Sequence, residues 1–172
     1  MIRFAIVGGG VSGCFLAHLL KSHKNISVTL FEKSRGLGGR CSVKRHEEYG
    51  SFNMGAPFFT NKNPELSSFF SFLINKSFIS TLDHPIGYCH FNGSFREAHK
   101  KERFVGKPEM NSFLKKWADE STLVLKTEIK NIDFKKSKWV LEDQDKRRYP
   151  EFDVCVIALP SEQGKFLWRT HS

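Results

Sequence analysis

The chain has 172 residues, a length that suits one domain, or one and a fraction, with a core of its own. Its 40% hydrophobic and 26% charged residues are a globular composition, and no apolar run approaches the roughly 18–20 residues that span a bilayer. The net charge is +9. The basic groups (Lys100, Lys101 and Arg103; Lys135, Lys136 and Lys138; Lys146, Arg147 and Arg148) fall in or beside expected loops without a recognition module, so no specific nucleic acid and no membrane partner is expected.

In chain order, Ile2 to Val7 is an apolar run that ends on three glycines, the pattern of a buried parallel strand entering a tight turn. Val11, Cys14, Phe15, His18 and Leu19 then recur at helical spacing, with Lys21, His23 and Lys24 at the helix end and Asn25 as the stop. Ile26 to Phe31 predicts a second strand that closes on Glu32, completing a βαβ unit. A glycine-rich loop covers Ser34 to Arg40, and Cys41 to Phe52 has room for two short strands. Pro64 to Lys76 predicts a helix with Leu66, Phe69, Phe70 and Leu73 inward. Tyr88 to Arg96 predicts a hairpin turning at Asn92-Gly93. Pro108 is expected to open a helix with Met110, Phe113, Leu114 and Trp117 on its inner side. Strands are expected at Leu123–Leu125, Glu128–Phe134 and Lys138–Leu141, then at Asp153–Leu159 up to Pro160, with a helix beginning at Ser161.

Met1 to Gly10 lacks a basic leader and a cleavage site, and Cys14, Cys41, Cys89 and Cys155 form no CxxC pair. Reduced thiols, a cytoplasmic setting and no metal site are the expectation. His46, His84, His90 and His99 pair with no nucleophile or metal ligand in the sequence, and Ser12 has no triad partners.

Gly8, Gly10 and Gly13 form G-x-G-x-x-G between the first strand and the first helix, and an acidic residue, Glu32, ends the next strand. Gly8 is expected to permit the turn, Gly10 to admit a pyrophosphate, and Gly13 to let helix and strand approach. The helix N-terminus offers free amides to phosphates. Glu32 would accept from ribose hydroxyls and disfavours a 2′-phosphate, hence NADP, at this position. NAD and FAD both use such a unit.

Residues 32–40, EKSRGLGGR, resemble the second glycine motif of the flavin amine oxidase superfamily. Residues 52–60, FNMGAPFFT, are similar to the flavin-side segment of renalase-like oxidoreductases, which reads F-D-H-G-A-Q-Y-F-T. Gly55, Ala56, Phe59 and Thr60 match it, while Asn53, Met54 and Pro57 depart. Residues 104–111, FVGKPEMN, resemble the family's V-G-x-P-x-M-N segment. Leu125 to Ile132 resembles the strand whose backbone meets adenine at Ile129, and Asp153 to Pro160 the strand that re-enters the nucleotide-binding sheet. The side chains of these last two segments are otherwise expected to be sheet core.

The resemblance implies an α/β fold: a Rossmann-like FAD-binding domain, with a βαβ start and returning strands at the end, interrupted by an inserted, incomplete α+β substrate-side segment. The expected divisions are 1–52 for the first FAD-binding part, 53–107 for the substrate-side segment and 108–172 for the return. The chain is expected to represent the N-terminal half of a usual member, since no Gly-Asp motif follows Pro160. The implied function is an FAD-dependent oxidoreductase that takes hydride from an amine or reduced nicotinamide and passes it to O2. The alternatives are a non-catalytic FAD-binding remnant or truncated product, and an NAD-binding dehydrogenase or sensor. The implied cofactor-binding residues are Gly8, Gly10, Val11, Ser12, Gly13, Glu32, Lys33, Arg35, Gly39, Arg40, Gly55, Ala56 and Ile129. No catalytic residue is assigned. The partners expected are a small-molecule substrate and NAD(P)H.

Overall fold

The computed structural model describes the chain except residues 85, 98–101 and 169–172. The basic residues Lys100 and Lys101, and His99, lie outside the described residues. Among those described, the order is β1 (Ile2–Val7), α1 (Val11–Leu20), β2 (Ile26–Glu32), β3 (Val43–His46), β4 (Gly50–Asn53), α2 (Ser67–Asn75), β5 (Ile79–Thr81), β6 (Gly87–Cys89), β7 (Phe95–Glu97), β8 (Phe104–Gly106), α3 (Ser112–Trp117), β9 (Thr122–Leu125), β10 (Ile129–Lys135), β11 (Lys138–Asp143), β12 (Arg148–Phe152), β13 (Val154–Ile157) and α4 (Ser161–Trp168). The chain divides into two compact units, Met1–Ser42 with Leu114–Ser172, and Val43–Phe113.

The first unit is built on a parallel sheet in the order β13-β1-β2-β9. Its register sets Phe4 beside Val154 and Val28, and Phe31 beside Val124. Strands this apolar need cover on both faces. On one face Gly13, Cys14 and Ala17 of α1 are buried, and a side chain at Gly13 would meet the Ile6 methyl at 3.3 Å. On the other, Ala5, Val7 and Phe31 join Ile129, Ile132, Leu141 and Phe152 of the antiparallel sheet β10-β11-β12, with Leu167 of α4. Phe31 meets Tyr149 and Phe152 edge-on at 4.9 and 5.9 Å, an arrangement aromatic rings favour. The fold is therefore Rossmann-like α/β.

In the second unit β3 pairs with β4, β5 with β8, and β6 with β7, each antiparallel. Phe59 and Phe104 exchange backbone hydrogen bonds of 3.0 and 2.8 Å, and the rings of Phe59, Phe70, Phe104 and Phe113 pack around that bridge. Arg45 and Ser51 of the β3–β4 hairpin both donate to the Glu109 carboxylate.

Several elements differ from the expectations, among them the short strands β5 and β8, which the sequence reading does not predict. The buried stripe of α1 is Gly13, Cys14 and Ala17, while Val11 and Leu19 are exposed. The glycine, not the large apolar residue, is what allows helix–strand contact. The helix expected from Pro108 begins at Ser112, because the Glu109 and Met110 carbonyls fold back over Gly106, where a side chain would meet them at 2.6 and 2.5 Å. Met110, ahead of the helix, and Phe113, Leu114 and Trp117 within it are buried as predicted. Pro64 opens a 3-10 turn capped by the Asn63 side chain, and α2 follows it with Leu66 exposed and Leu73 buried. β12 was not expected because Arg147, Arg148 and Pro150 read as loop. It lies at a sheet edge, where a residue without an N–H is tolerated.

Candidate functional site

The chain turns at Gly8 with φ +116°, a conformation that favours glycine, and its amide donates to the Phe31 carbonyl at 2.8 Å. A side chain at Gly8 would lie 2.6 Å from the Ala158 carbonyl. At Gly13 it would run into the Gly8 carbonyl oxygen. Gly10 is different: the nearest atom to a side chain there would be the Gly39 Cα, 4.0 Å away, so this position borders open space. No side chain caps α1 at Gly10, and no acidic residue stands in its first turn. The first amides of a helix have no intrahelical acceptor and carry a partial positive charge, which suits an anion.

The second glycine loop is bonded to the first. The Gly38 amide donates to the Gly9 carbonyl at 2.9 Å, and Gly39, at φ +52°, comes so near Gly10 that an added Cβ would sit 3.1 Å from its Cα. A 3-10 turn at Gly39–Cys41 then presents the exposed Arg40.

Glu32 ends β2 almost fully buried. Its Oε2 accepts from the Gly9 amide and its Oε1 from the Ser34 amide, both at 2.8 Å. The β9–β10 connection is clasped to the same place: Thr127 donates to the Glu32 carbonyl and Lys126 to the Ser34 carbonyl, both at 3.0 Å. Burial, with the Glu32 charge in support, pushes the Cys14 thiol up to about 12. Burial alone does the same for Cys155. Burial also raises Cys41, against the pull of Arg40.

Gly8, Gly10, Val11, Ser12, Glu32, Lys33, Gly39, Arg40 and Ile129 all line one open cleft of about 870 Å³. It opens at the carboxyl ends of β1, β2 and β13. There β1 stands between β2 on one side and β13 on the other, the position where ligands bind in open parallel sheets. Gly13 lies at the helix–strand contact and Arg35 in the exposed loop, and neither lines the cleft. Gly55 and Ala56 belong to the second unit.

Some lining residues were not singled out in the sequence. Thr127, Glu128 and Lys130 flank Ile129, and Leu159, Pro160 and Gln163 form another wall. The side chains of residues 127–130 and 159–160 are expected from the sequence to be plain sheet core, so their place at the cleft is a correction, while Gln163 belongs to α4, whose start at Ser161 is as expected. The available signal was the end of each apolar run, since strand ends border the cleft. Among the described residues no cluster of His, Cys, Asp and Glu is arranged to hold a metal, and no helix is long and apolar enough to cross a membrane.

An uncapped helix start, open space at Gly10, a second glycine backbone beside it and an exposed arginine fit the diphosphate of a dinucleotide. A pinned carboxylate at the end of β2 fits its ribose.

Residues 6–73 match the family described as NAD(P)-binding Rossmann-like domain. Among solved structures, tetracycline destructase Tet(51) is similar with a TM-score of 0.66 and 15% identity, over 92% of this chain and 38% of that chain. This protein thus spans well under half the length of that structure, and at such identity the likeness is one of fold. Together the match and the geometry identify a Rossmann-like α/β fold built for a dinucleotide.

Proposed function

We propose that this chain binds FAD and forms the nucleotide-binding part of an FAD-dependent oxidoreductase of the renalase-like amine oxidase type. The observation that carries the reading is the hydrogen bond between the two glycine loops, which sets Gly10, Gly39 and Arg40 around one cleft. A simple nicotinamide site needs only the first loop. Here the amides at Val11 and Ser12 would bind the diphosphate, and the Gly39 backbone would approach it from the other side. Arg40 would add a charge-assisted donor, Glu32 would accept from the ribose, and the Ile129 backbone would meet the adenine. FAD, when bound, supplies hydride chemistry between an amine or reduced nicotinamide and O2. Gly55 and Ala56 retain the flavin-side pattern by resemblance, while Pro57 offers no backbone donor there. No residue is assigned a catalytic role.

A second reading, an NAD-binding dehydrogenase or sensor, is supported by the description of the matching family, NAD(P)-binding Rossmann-like domain. A non-catalytic FAD-binding remnant is a third, and turnover with reduced nicotinamide or amines separates it from an enzyme.

The test is the visible spectrum of the purified chain, with release of any cofactor by heat, followed by titration with FAD and with NAD. A stoichiometric flavin, retained or taken up, supports the proposal. Uptake of NAD without FAD supports the second reading. Binding of neither overturns both.

A further inference from the structure

Two residues that do not line the cleft, Gly9 and Leu37, hold the parts that do. Gly9 is the middle residue of G-x-G, a position the fingerprint leaves open. Its amide donates to Glu32 Oε2, and its carbonyl accepts from the Gly38 amide. One peptide segment therefore fixes both the acidic residue and the second glycine loop. Leu37, 4% exposed, seats its side chain over Gly9: a Cβ there would lie 2.6 Å from Leu37 Cδ2, and 3.0 and 3.1 Å from Glu32 Oε2 and Cβ. Gly9 is not among the positive-φ residues, so what crowds a side chain there is this close approach, which Leu37 and Glu32 would have to shift to relieve, and not backbone conformation.

A carboxylate bonded once at each oxygen is fixed in its plane and keeps a free lone pair on each. We propose that Gly9 and Leu37 are positioning residues for nucleotide recognition, orienting the Glu32 carboxylate toward a ribose hydroxyl. The inference rests on the dinucleotide reading above. It goes further in assigning the discrimination of ribose to a glycine–leucine contact outside the cleft. An alanine at Gly9 drives Leu37 and Glu32 apart from the loop, which tilts the carboxylate while leaving the uncapped helix start in place.

The experiment compares binding of ADP and 2′-deoxy-ADP by the full chain and by Gly9→Ala, Leu37→Ala and the double variant. Far-UV circular dichroism checks folding. The unaltered chain is expected to prefer ADP by about tenfold or more, the scale of one hydrogen bond to a charged acceptor. Gly9→Ala is expected to bring that ratio close to unity, and Leu37→Ala to lower it severalfold. The double variant, which relieves the closest clash, is expected to recover part of the ratio lost in Gly9→Ala. If Gly9→Ala does not fold, Leu37→Ala decides alone. A ratio that survives in the folded variants, with both affinities falling together, overturns the proposal and leaves the dinucleotide reading intact. Failure of the unaltered chain to bind either nucleotide overturns both.

Discussion

The Gly38 amide donates to the Gly9 carbonyl at 2.9 Å, and this bond joins two loops that the sequence separates by a helix and a strand. The first loop provides the helix N-terminus and the second provides Arg40. Neither makes the cleft alone.

The Gly13 position has no room for a side chain, because the obstructing atom is the backbone carbonyl of Gly8. Gly13→Ala is expected to lower stability by about 1–3 kcal/mol or more, the cost of forcing apart a packed contact. Gly36→Ala is the control, since nothing lies within 4 Å of a side chain there. Equal melting temperatures for the two variants would show that α1 and β1 do not pack this closely.

Arg40 is exposed and lines the cleft. Arg40→Ala is expected to weaken FAD binding by roughly 10–100-fold, the worth of a charge-assisted hydrogen bond. Arg40→Lys should recover only part, because an ammonium lacks the planar fork. Isothermal titration at two salt concentrations checks this, and an unchanged affinity in Arg40→Ala would remove the arginine from the site.

Burial, helped by Lys21 and opposed by Asp119 and Glu120, holds His18 below its ordinary value of 6.5. Its ring stacks against Trp117 at 5.9 Å, and its Nδ1 is enclosed without a hydrogen-bond partner. A base whose folded value is depressed binds more protons when unfolded, so stability rises with pH across that interval. The contribution is complete above about pH 6.5 and is lost as pH falls from there through the folded value. Denaturant midpoints between pH 7.5 and 5 should show the decline, and His18→Phe should flatten it. The depressed carboxyls of Asp143 and Asp153 act at lower pH, below the ordinary 3.8, and do not interfere.

All four cysteines are free, and Cys89 is the exposed one. With their thiols pushed up to about 12, Cys14 and Cys155 carry almost no thiolate at pH 8. Brief iodoacetamide treatment followed by peptide mass spectrometry should find Cys89 labelled first and Cys14 and Cys155 only after denaturation. Early labelling of Cys14 would mean that the helix–glycine contact opens readily.

The sequence by itself determined the βαβ start, because Ile2 to Val7, three glycines and Glu32 encode strand, turn and an acidic strand end within a short span of chain. It also determined most strands, from short apolar or alternating runs bounded by turn residues, and it singled out Arg40 and Ile129, which line the cleft. It missed β5 and β8, three-residue strands too short to show an alternation, and β12, whose edge position excuses a proline and an arginine that local pattern assigns to a loop. It placed the start of α3 too early, because the carbonyls that fold over Gly106 are a backbone packing event with no periodicity. Only the tertiary structure decided that Gly9 and Leu37 belong with Glu32, that Thr127 is clasped to the end of β2, and that a backbone hydrogen bond from Gly38 to Gly9 joins the two glycine loops. These are contacts between segments distant in the chain or between a side chain and a backbone. Their cause is close packing in three dimensions, which periodicity along one dimension does not encode.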